Sequence, residues 1–203
     1  MPQTQSSEQL IIPILHHFNL KTTKLQAMID WYAAVVGVQV TFQFPGGAWL
    51  TNDAANHRIA LLAMPGYADD PQKDRHTGLH HTAFEYGSFA ELMQSYARLR
   101  DHEIRPEVCL DHGMTISLYY RDPDRNLVEL QADVFGAWQK SKAFMQTSAA
   151  FAENPIGVFF DPDKVLAAHR SGASLEELHK RISASEFLPA AIPDIGPPQE
   201  GAG

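Results

Sequence analysis

The same order of hydrophobic and polar positions occurs twice along the chain. Each copy begins with a short alternating segment that predicts a strand, ILHHFNL (14–20) and then GLHHTAFEY (78–86). Each continues into a segment whose apolar residues recur at helical spacing. These residues are Leu25, Met28, Ile29 and Tyr32 in the first copy, and Phe89, Leu92, Met93, Tyr96 and Leu99 in the second. The second histidine of each pair, His17 or His81, lies equally far from the tyrosine of its helix, which indicates an internal repeat.

Three further strand signals follow each predicted helix, separated by turn residues. They are VQVTFQF (38–44), AWLTND (48–53) and HRIALLAM (57–64) in the first copy, and EIRPEVCL (103–110), MTISLYYRD (114–122) and NLVELQAD (126–133) in the second. The chain is therefore predicted to fold as α+β. Two βαβββ modules, residues 10–66 and 78–135, form one domain (10–135) whose mixed sheet curls into a cup.

The composition changes after the second module. Helical patterns at 138–152 and 161–182, the latter with a break at Ser171-Gly172, predict a helical extension over residues 136–188. Residues 1–9 are polar, and residues 189–203 are rich in Pro, Gly and Ala. Both ends are predicted to be flexible.

Strand alternation selects one histidine from each pair, because neighbouring residues on a strand point to opposite faces. The bulkier apolar face of each strand, which in the first strand includes Ile12 and Ile14, should pack on the helices. This leaves His17 and His81 on the more polar face. Tyr119 and Glu129 fall on that face of their own strands. If the two sheets curl toward each other, these four residues can line one cup. Two imidazoles and a carboxylate are the ligands of a 2-His-1-carboxylate metal site.

Charge and cysteine content narrow the function classes. The net charge of −8 and the absence of a basic stripe argue against a nucleic-acid or anionic-membrane partner. The single cysteine, Cys109, cannot form an internal disulfide or a cysteine metal cluster. The polar start MPQTQSSEQ predicts no secretory signal, and no apolar run reaches the roughly 18 residues of a membrane span. The protein is therefore expected to be cytoplasmic.

These residues together resemble the vicinal oxygen chelate superfamily, which includes glyoxalase I, fosfomycin-resistance proteins, bleomycin-binding proteins and the type I extradiol dioxygenases. The resemblance rests on the repeated histidine-to-tyrosine spacing, the twin modules and the ending SLYYRDPDRNLVEL. The segments HHFNL and HHTAF and the DPDxNxxE ending are most similar to a single-domain type I extradiol ring-cleaving dioxygenase. Arg125 stands where the family turn usually has glycine, so this turn must accept a side chain.

The resemblance implies a metal site formed by His17, His81 and Glu129, holding Fe(II) or, as an alternative, Mn(II). Aligning NLVELQ with HRIALL places Ala60 opposite Glu129, and alanine cannot bind a metal. The ligand set therefore stops at three. That favours an oxygen-activating Fe(II) site, or a fosfomycin-type Mn(II) site, over a glyoxalase-type isomerase.

The implied reaction is extradiol (meta) cleavage of a catechol-type aromatic diol by O2, a step of aromatic hydrocarbon catabolism. Tyr119 would form a hydrogen bond with an oxygen of the substrate or of O2. His112 would shuttle a proton, and His76 is a further catalytic candidate, because a histidine can take and give a proton near neutral pH. Four other histidines, His57, His102, His169 and His179, are interpreted as surface or loop residues.

Two other function classes stay open at this point. One is another divalent-metal enzyme on the same scaffold, such as a fosfomycin-type transferase or a glyoxalase-like lyase or isomerase. The other is a metal-free small-molecule binding protein, which would have no need for the His–His–Glu set. The expected partners are a small aromatic diol, O2 and further copies of the chain in a homo-oligomer, for which a dimer is one option.

Overall fold

The computed structural model describes residues 10–193. The predicted flexible segment 1–9 lies outside them, and so do residues 194–203 of the predicted flexible segment 189–203. The first module contains β1 (Phe18–Lys21), α1 (Leu25–Val36), β2 (Gln39–Phe44), β3 (Gly47–Thr51) and β4 (Ile59–Leu62). A short 3-10 helix (Lys73–Arg75) leads to β5 (His81–Tyr86), α2 (Phe89–Asp101), β6 (Val108–Asp111), β7 (Thr115–Arg121) and β8 (Leu127–Asp133). The extension contains α3 (Trp138–Thr147), α4 (Ala149–Glu153), β9 (Val158–Phe159), α5 (Pro162–Arg170) and α6 (Leu175–Ser183).

The strands form two open mixed sheets, which confirms the α+β prediction and both βαβββ modules. The first sheet has the order β1-β4-β3-β2, and the second has the order β5-β8-β7-β6-β9. The first and last strands of each module are parallel neighbours, β1 with β4 and β5 with β8. All other strand pairs in the two sheets are antiparallel.

Helices α1 and α2 each cover one face of their own sheet, as the spacing of their apolar residues predicts. Helix α2 begins at the cap Ser88, whose hydroxyl accepts a hydrogen bond from the backbone N–H of Glu91. Helix α1 ends at Gly37, whose φ of 77° is the left-handed conformation that glycine adopts most easily. The helix residues buried in the two cores are Met28, Ile29, Tyr32 and Val35 from α1, and Phe89, Leu92, Met93, Tyr96, Ala97 and Leu99 from α2.

Contacts between the modules hold them side by side. The rings of Phe18 on β1 and Phe84 on β5 lie 6.0 Å apart between centroids. The hydroxyl of Tyr32 on α1 donates a hydrogen bond to the buried carboxylate of Asp122 at 3.1 Å. Val128 of β8 belongs to the core of the first module. The first strands of the two modules, β1 and β5, are therefore close neighbours. A histidine pair lies at the start of each.

The first strand is shorter than predicted. Residues 10–17 are not a strand, and the side chains of Ile12 and Ile14 are 80% and 88% exposed. The predicted packing of these two residues against a helix is therefore wrong. The physical reason is that β1 pairs only with β4, which offers four residues, and Pro13 has no N–H to extend the ladder.

The turn between β7 and β8 accepts Arg125 as the sequence requires. Arg125 has a φ of 63°, and its N–H donates to the carbonyl of Asp122 at 2.8 Å. The Asp122 carboxylate accepts hydrogen bonds from the backbone N–H groups of Asp124 and Asn126. These bonds hold the turn closed around a side chain in the left-handed conformation.

The extension is helical, with the predicted break between α5 and α6 at residues 171–174. The segment predicted as one helix at 138–152 is two helices, because Ser148 ends α3 and caps α4. The two-residue strand β9 was not predicted, and it adds to the outer edge of β6. At the opposite end of the molecule, the ladder between β2 and β3 shifts register between Val40 and Phe42, so β2 carries a bulge at Thr41. Within residues 10–193, no helix is both long enough and apolar enough to span a bilayer.

Candidate metal and proton-transfer site

A row of polar side chains crosses the second sheet on the face turned away from the helices. Strand pairing places Ala83 of β5 beside Glu129 of β8, and Glu129 beside Tyr119 of β7. The flanking residues Val128 and Leu130 point the other way, into the two cores. The alternation predicted from the sequence therefore holds on both strands, and it brings Tyr119 and Glu129 to one surface with His81.

Glu129 is the centre of this row. Its side chain is buried, with Oε2 lying 3.1 Å from Nε2 of His81 and Oε1 accepting a hydrogen bond from the hydroxyl of Tyr119 at 2.9 Å. Burial alone would raise the pKa of Glu129, but hydrogen bonds from His81, Ser117 and Tyr119 outweigh it and hold the pKa below its ordinary value. Glu129 is therefore kept as a carboxylate, the form in which it can bind a cation.

His112 extends the row by one residue. Its Nε2 lies 2.9 Å from the hydroxyl oxygen of Tyr119. Burial, and then the neighbouring Glu129, raise the pKa of Tyr119, so its hydroxyl stays protonated. Because that proton is donated to Glu129, the Tyr119 oxygen is left to accept from His112, which assigns a hydrogen to Nε2. His81, Glu129, Tyr119 and His112 thus form one continuous chain of hydrogen-bonding groups.

A second group of histidines lies at the start of the first sheet. Nδ1 of His17 is 3.1 Å from Nδ1 of His16, and the rings of His17 and His57 are 4.3 Å apart between centroids. Each of the three histidines offers a nitrogen within 4.8 Å of the other two, which is close enough for a shared metal ion. Partial burial, and then the neighbouring His17 and His16, lower the pKa of His57, so its ring is held neutral near pH 7.

The structure therefore brings together four of the six predicted site residues, namely His81, Glu129, Tyr119 and His112. His17 lies instead in the first-module group, and within residues 10–193 it does not form a group with His81 and Glu129 at the same 4.8 Å limit. The convergence of His17 with the other two ligands stays a prediction. His76 is exposed, and its Nδ1 lies 2.7 Å from the carboxylate of Asp70 in the loop before β5.

His57 was not recognised from the sequence as a site residue. His57 lies two residues before the start of β4, and β4 is the parallel neighbour of β1. Parallel strands start at the same edge of a sheet, so the residues before β1 and β4 meet there. Periodicity within one segment contains no such information. The signal that could have found His57 is the parallel pairing of the first and last strands of the module.

The alignment of Ala60 with Glu129 is confirmed by the strand register. Ala60 lies beside Asn19, two residues after His17, and Glu129 lies beside Ala83, two residues after His81. The first module therefore has a methyl group at the position where the second has its carboxylate. A fourth protein ligand at that position, of the glyoxalase type, is not available.

An aromatic surface lies next to the first-module histidines. The rings of Phe42 and Trp49 are 5.1 Å apart between centroids and inclined by 29°, and the ring of Trp49 is 5.8 Å from that of His57. These two side chains are 52% and 39% exposed, so they are not core residues. Phe44 packs against both of them. The surface offers flat apolar rings beside groups that can bind a metal or move a proton.

Comparison with protein families identifies similar proteins. Residues 14–130 match the model of the Glyoxalase/Bleomycin resistance protein/Dioxygenase superfamily. The matched range includes the first-module histidines and all four residues of the polar row in the second module. It ends shortly before the C-terminal extension.

Two relatives from Rhodococcus globerulus are similar over most of the chain. One, named biphenyl-2,3-diol 1,2-dioxygenase 3, is 39% identical over 84% of this chain and 90% of its own length. The other, named biphenyl-2,3-diol 1,2-dioxygenase 2, is 36% identical over 87% of this chain and 92% of its own length. The crystal structure of a glyoxalase/dioxygenase from Nostoc punctiforme superimposes with a TM-score of 0.51 at 18% identity, covering 63% of this chain and 99% of that one, which shows the shared fold.

Proposed function

This chain belongs to the Glyoxalase/Bleomycin resistance protein/Dioxygenase superfamily, and from that premise we propose that it opens the ring of a catechol-type aromatic diol with O2, beside the two hydroxyl groups. The observation that carries the proposal is the similarity to two biphenyl-2,3-diol dioxygenases over about nine-tenths of their length. Such enzymes are oxidoreductases. The buried Glu129, paired with His81 and Tyr119, gives the proposal a specific site.

Relatives of this kind imply a divalent metal, and we take the metal to be Fe(II), with Mn(II) as the alternative. The proposed ligands are His17, His81 and Glu129. Two of these three residues are spaced to share one ion, because Nε2 of His81 and Oε2 of Glu129 lie 3.1 Å apart. Two ligand atoms about 2.1 Å from one ion, at a right angle to each other, are separated by about 3.0 Å. When bound, the metal would bring the diol and O2 together and would supply the redox chemistry between them.

The side chains of this chain supply the proton transfers. His112 has a hydrogen on Nε2 and can accept a proton on Nδ1, so it can take a proton from a diol hydroxyl and return it later. Tyr119 stays protonated and donates to Glu129, which keeps the carboxylate in one orientation. His57, held neutral against His17, is the second candidate base.

The aromatic surface supplies binding energy for the rest of the substrate. Phe42 and Trp49 are partly exposed beside His57, and an aromatic ring can pack against their open surface. A diol that has a second ring would gain from this contact more than catechol itself. We therefore expect two-ring diols to be preferred substrates. Assembly of the protein as a homo-oligomer stays a prediction.

Oxygen consumption tests this function. The protein is loaded anaerobically with Fe(II) and then mixed with oxygenated buffer and catechol, a 3-substituted catechol or 2,3-dihydroxybiphenyl. Oxygen uptake with a yellow ring-opened product is expected, and Glu129→Gln is the matched control that should show neither. Stoichiometric iron without turnover of any diol would reject the dioxygenase reaction in favour of another metal reaction on this scaffold.

A further inference from the structure

The loop between β6 and β7 carries His112, and its shape depends on Asp111 at the end of β6. Oδ1 of Asp111 accepts a hydrogen bond from the backbone N–H of Gly113 at 2.8 Å. The N–H of His112 donates to the carbonyl of Thr115 at 2.9 Å, which closes the loop. These two bonds set the backbone from which the His112 ring reaches Tyr119.

The other oxygen of Asp111 is bound by the C-terminal extension. Oδ2 lies 2.6 Å from Nδ1 of His179 on α6, and the Asp111 side chain is only 2% exposed. A buried carboxylate needs such a partner, because it has lost its hydration. The hydrogen bond to Asp111 raises the pKa of His179 in spite of partial burial. Asp111 therefore connects two elements: its Oδ2 contacts α6, and its Oδ1 holds the loop that carries His112.

Strand β9 supports the same loop from the edge of the sheet. Its pairing with β6 places Asp111 beside Val158. At Gly157, which has a φ of +95°, an added Cβ would lie 2.0 Å from the carbonyl oxygen of Asp111 and 2.9 Å from Cα of His112. The backbone of the extension thus passes the loop at a distance that only glycine allows.

Helix α3 contacts the loop from a third direction. An added Cβ at Gly113, which has a φ of +85°, would lie 2.9 Å from the ring of Phe144. Three separate elements of the extension, namely α3, β9 and α6, therefore meet at residues 111–113. Of these contacts, the one between His179 and Asp111 involves a buried charged group.

We propose that the C-terminal extension positions His112 for proton transfer, and that His179 is the positioning residue through its contact with Asp111. This inference rests on the proposed role of His112 in diol cleavage. The side-chain partner of His179 is Asp111 and not one of the proposed ligands. His179 fixes the Asp111 carboxylate, which fixes the Gly113 amide and hence the direction in which the His112 ring points.

The test compares three variants with the wild type. His179→Ala removes the contact, and His179→Gln keeps a side chain that can donate to Asp111. Asp163→Asn is the matched control, because Asp163 joins α5 to Arg100 of α2 at 2.8 Å and so docks the extension without touching the His112 loop. The measurements are kcat and KM for catechol with Fe(II)-loaded enzyme, the melting temperature, and the NMR signals of the His112 ring in metal-free protein.

His179→Ala is expected to lower kcat about tenfold or more with a smaller change in KM, because proton transfer depends on the position of the base. The His112 ring signals should shift, and His179→Gln should restore most of both losses. Asp163→Asn should lower the melting temperature without either effect. Unchanged His112 signals and unchanged kcat in His179→Ala would overturn the inference, and so would an equal loss of kcat in Asp163→Asn.

The NMR measurement keeps this inference separate from the proposed function. It uses no metal and no substrate, so it reports on the His112 ring even when no diol is cleaved. A wild-type enzyme without turnover, combined with a shift of the His112 signals in His179→Ala, would reject the dioxygenase function and retain the positioning of His112. Turnover by the wild type, combined with unchanged His112 signals in His179→Ala, would support the dioxygenase function and reject the positioning of His112 by His179.

Discussion

Trp49 and Tyr119 occupy equivalent positions in the two modules. Trp49 lies beside Ala60 in the first sheet, and Tyr119 lies beside Glu129 in the second. The same row of the fold is therefore apolar in one module and polar in the other. The second module supplies the carboxylate and the hydroxyl, and the first supplies the aromatic rings to which we assign binding of the aromatic part of the substrate.

This division of roles predicts the substrate preference of Trp49→Ala. Loss of the ring should lower the ratio of kcat/KM for 2,3-dihydroxybiphenyl to that for catechol by about 3- to 10-fold, the value of one aromatic contact. Steady-state oxygen uptake with both diols measures the ratio. Trp138→Phe is the control, since Trp138 is an exposed residue of the extension. An unchanged ratio in Trp49→Ala would remove this surface from the binding site.

The proposed ligands predict which variants lose metal. His17→Ala, His81→Ala and Glu129→Gln should each abolish retention of Fe(II), because two remaining ligands cannot hold the ion through desalting. Elemental analysis after anaerobic loading and gel filtration measures the metal content. His102→Ala, at the exposed end of α2, is the control and should retain metal. Metal content equal to that of the wild type in any of the three would exclude that residue from the ligand set.

His57 is expected to act on protons and not as a ligand. His57→Ala should retain Fe(II) but lower kcat by about 100-fold, the usual contribution of a general base. Metal content and single-turnover rates, measured on the same preparation, separate the two roles. If His57→Ala loses its metal, the ligands are those of the first-module group, His16, His17 and His57.

Tyr119→Phe tests the centre of the hydrogen-bonded row. Removal of the hydroxyl takes one donor from Glu129 and the partner from His112. A hydrogen bond to a charged group is worth about 1.5–3 kcal/mol, so a fall in kcat of about 10- to 100-fold is expected with metal retained. Rates and metal content are compared with those of Tyr67→Phe, because Tyr67 lies in the loop after β4, where its ring contacts Lys21 and none of the proposed site residues. Loss of metal in Tyr119→Phe would show that Tyr119 supports binding of the ion and not the reaction.

The contact between His179 and Asp111 predicts a pH-dependent stability. Asp111 raises the pKa of His179, so the folded chain holds a proton that the unfolded chain binds less tightly. The stabilisation is complete below the unfolded pKa of about 6.5 and is lost as the pH rises through the higher folded pKa. His179→Ala should therefore lower the melting temperature more at about pH 5.5 than at about pH 9.

Thermal melts at the two pH values, with Asp163→Asn as the reference, check this sign. The pKa of Asp163 lies below its ordinary value, because its hydrogen bonds to Arg100 and Tyr96 outweigh its burial. The carboxylate is therefore charged at both pH values, and its loss should cost the same at each. An equal effect of His179→Ala at both pH values would contradict the prediction.

Much of the site could be predicted from the sequence because strand alternation is a local property. The faces of Tyr119, Glu129 and Val128 follow from period two alone, and the repeat identified the second histidine of each pair. The position of Ala60 also followed from the repeat, and the register confirmed it.

What could not be predicted depends on contacts between distant segments. His57 reaches His17 only through parallel pairing of β1 and β4, and His179 reaches Asp111 only after α6 has docked. Strand β9 has two residues, too few for a periodic signal. The start of the first strand was misplaced because Ile12 and Ile14 alternate correctly but have no neighbouring strand to pair with.

The edge of the first sheet at β2 and the edge of the second sheet at β6 differ in how they are protected from self-association. The edge of β6 is covered by β9, whereas β2 is an outer strand with unpaired backbone groups. The bulge at Thr41 interrupts the regular ladder there, and the one hydrogen of the Thr41 hydroxyl is shared between the carbonyl oxygens of Trp49 and Asn56, each at 3.0 Å. An irregular edge is a poor template for another strand. The bulge therefore allows the aromatic rings of β2 to stay open to small molecules without making this edge a starting point for fibre growth.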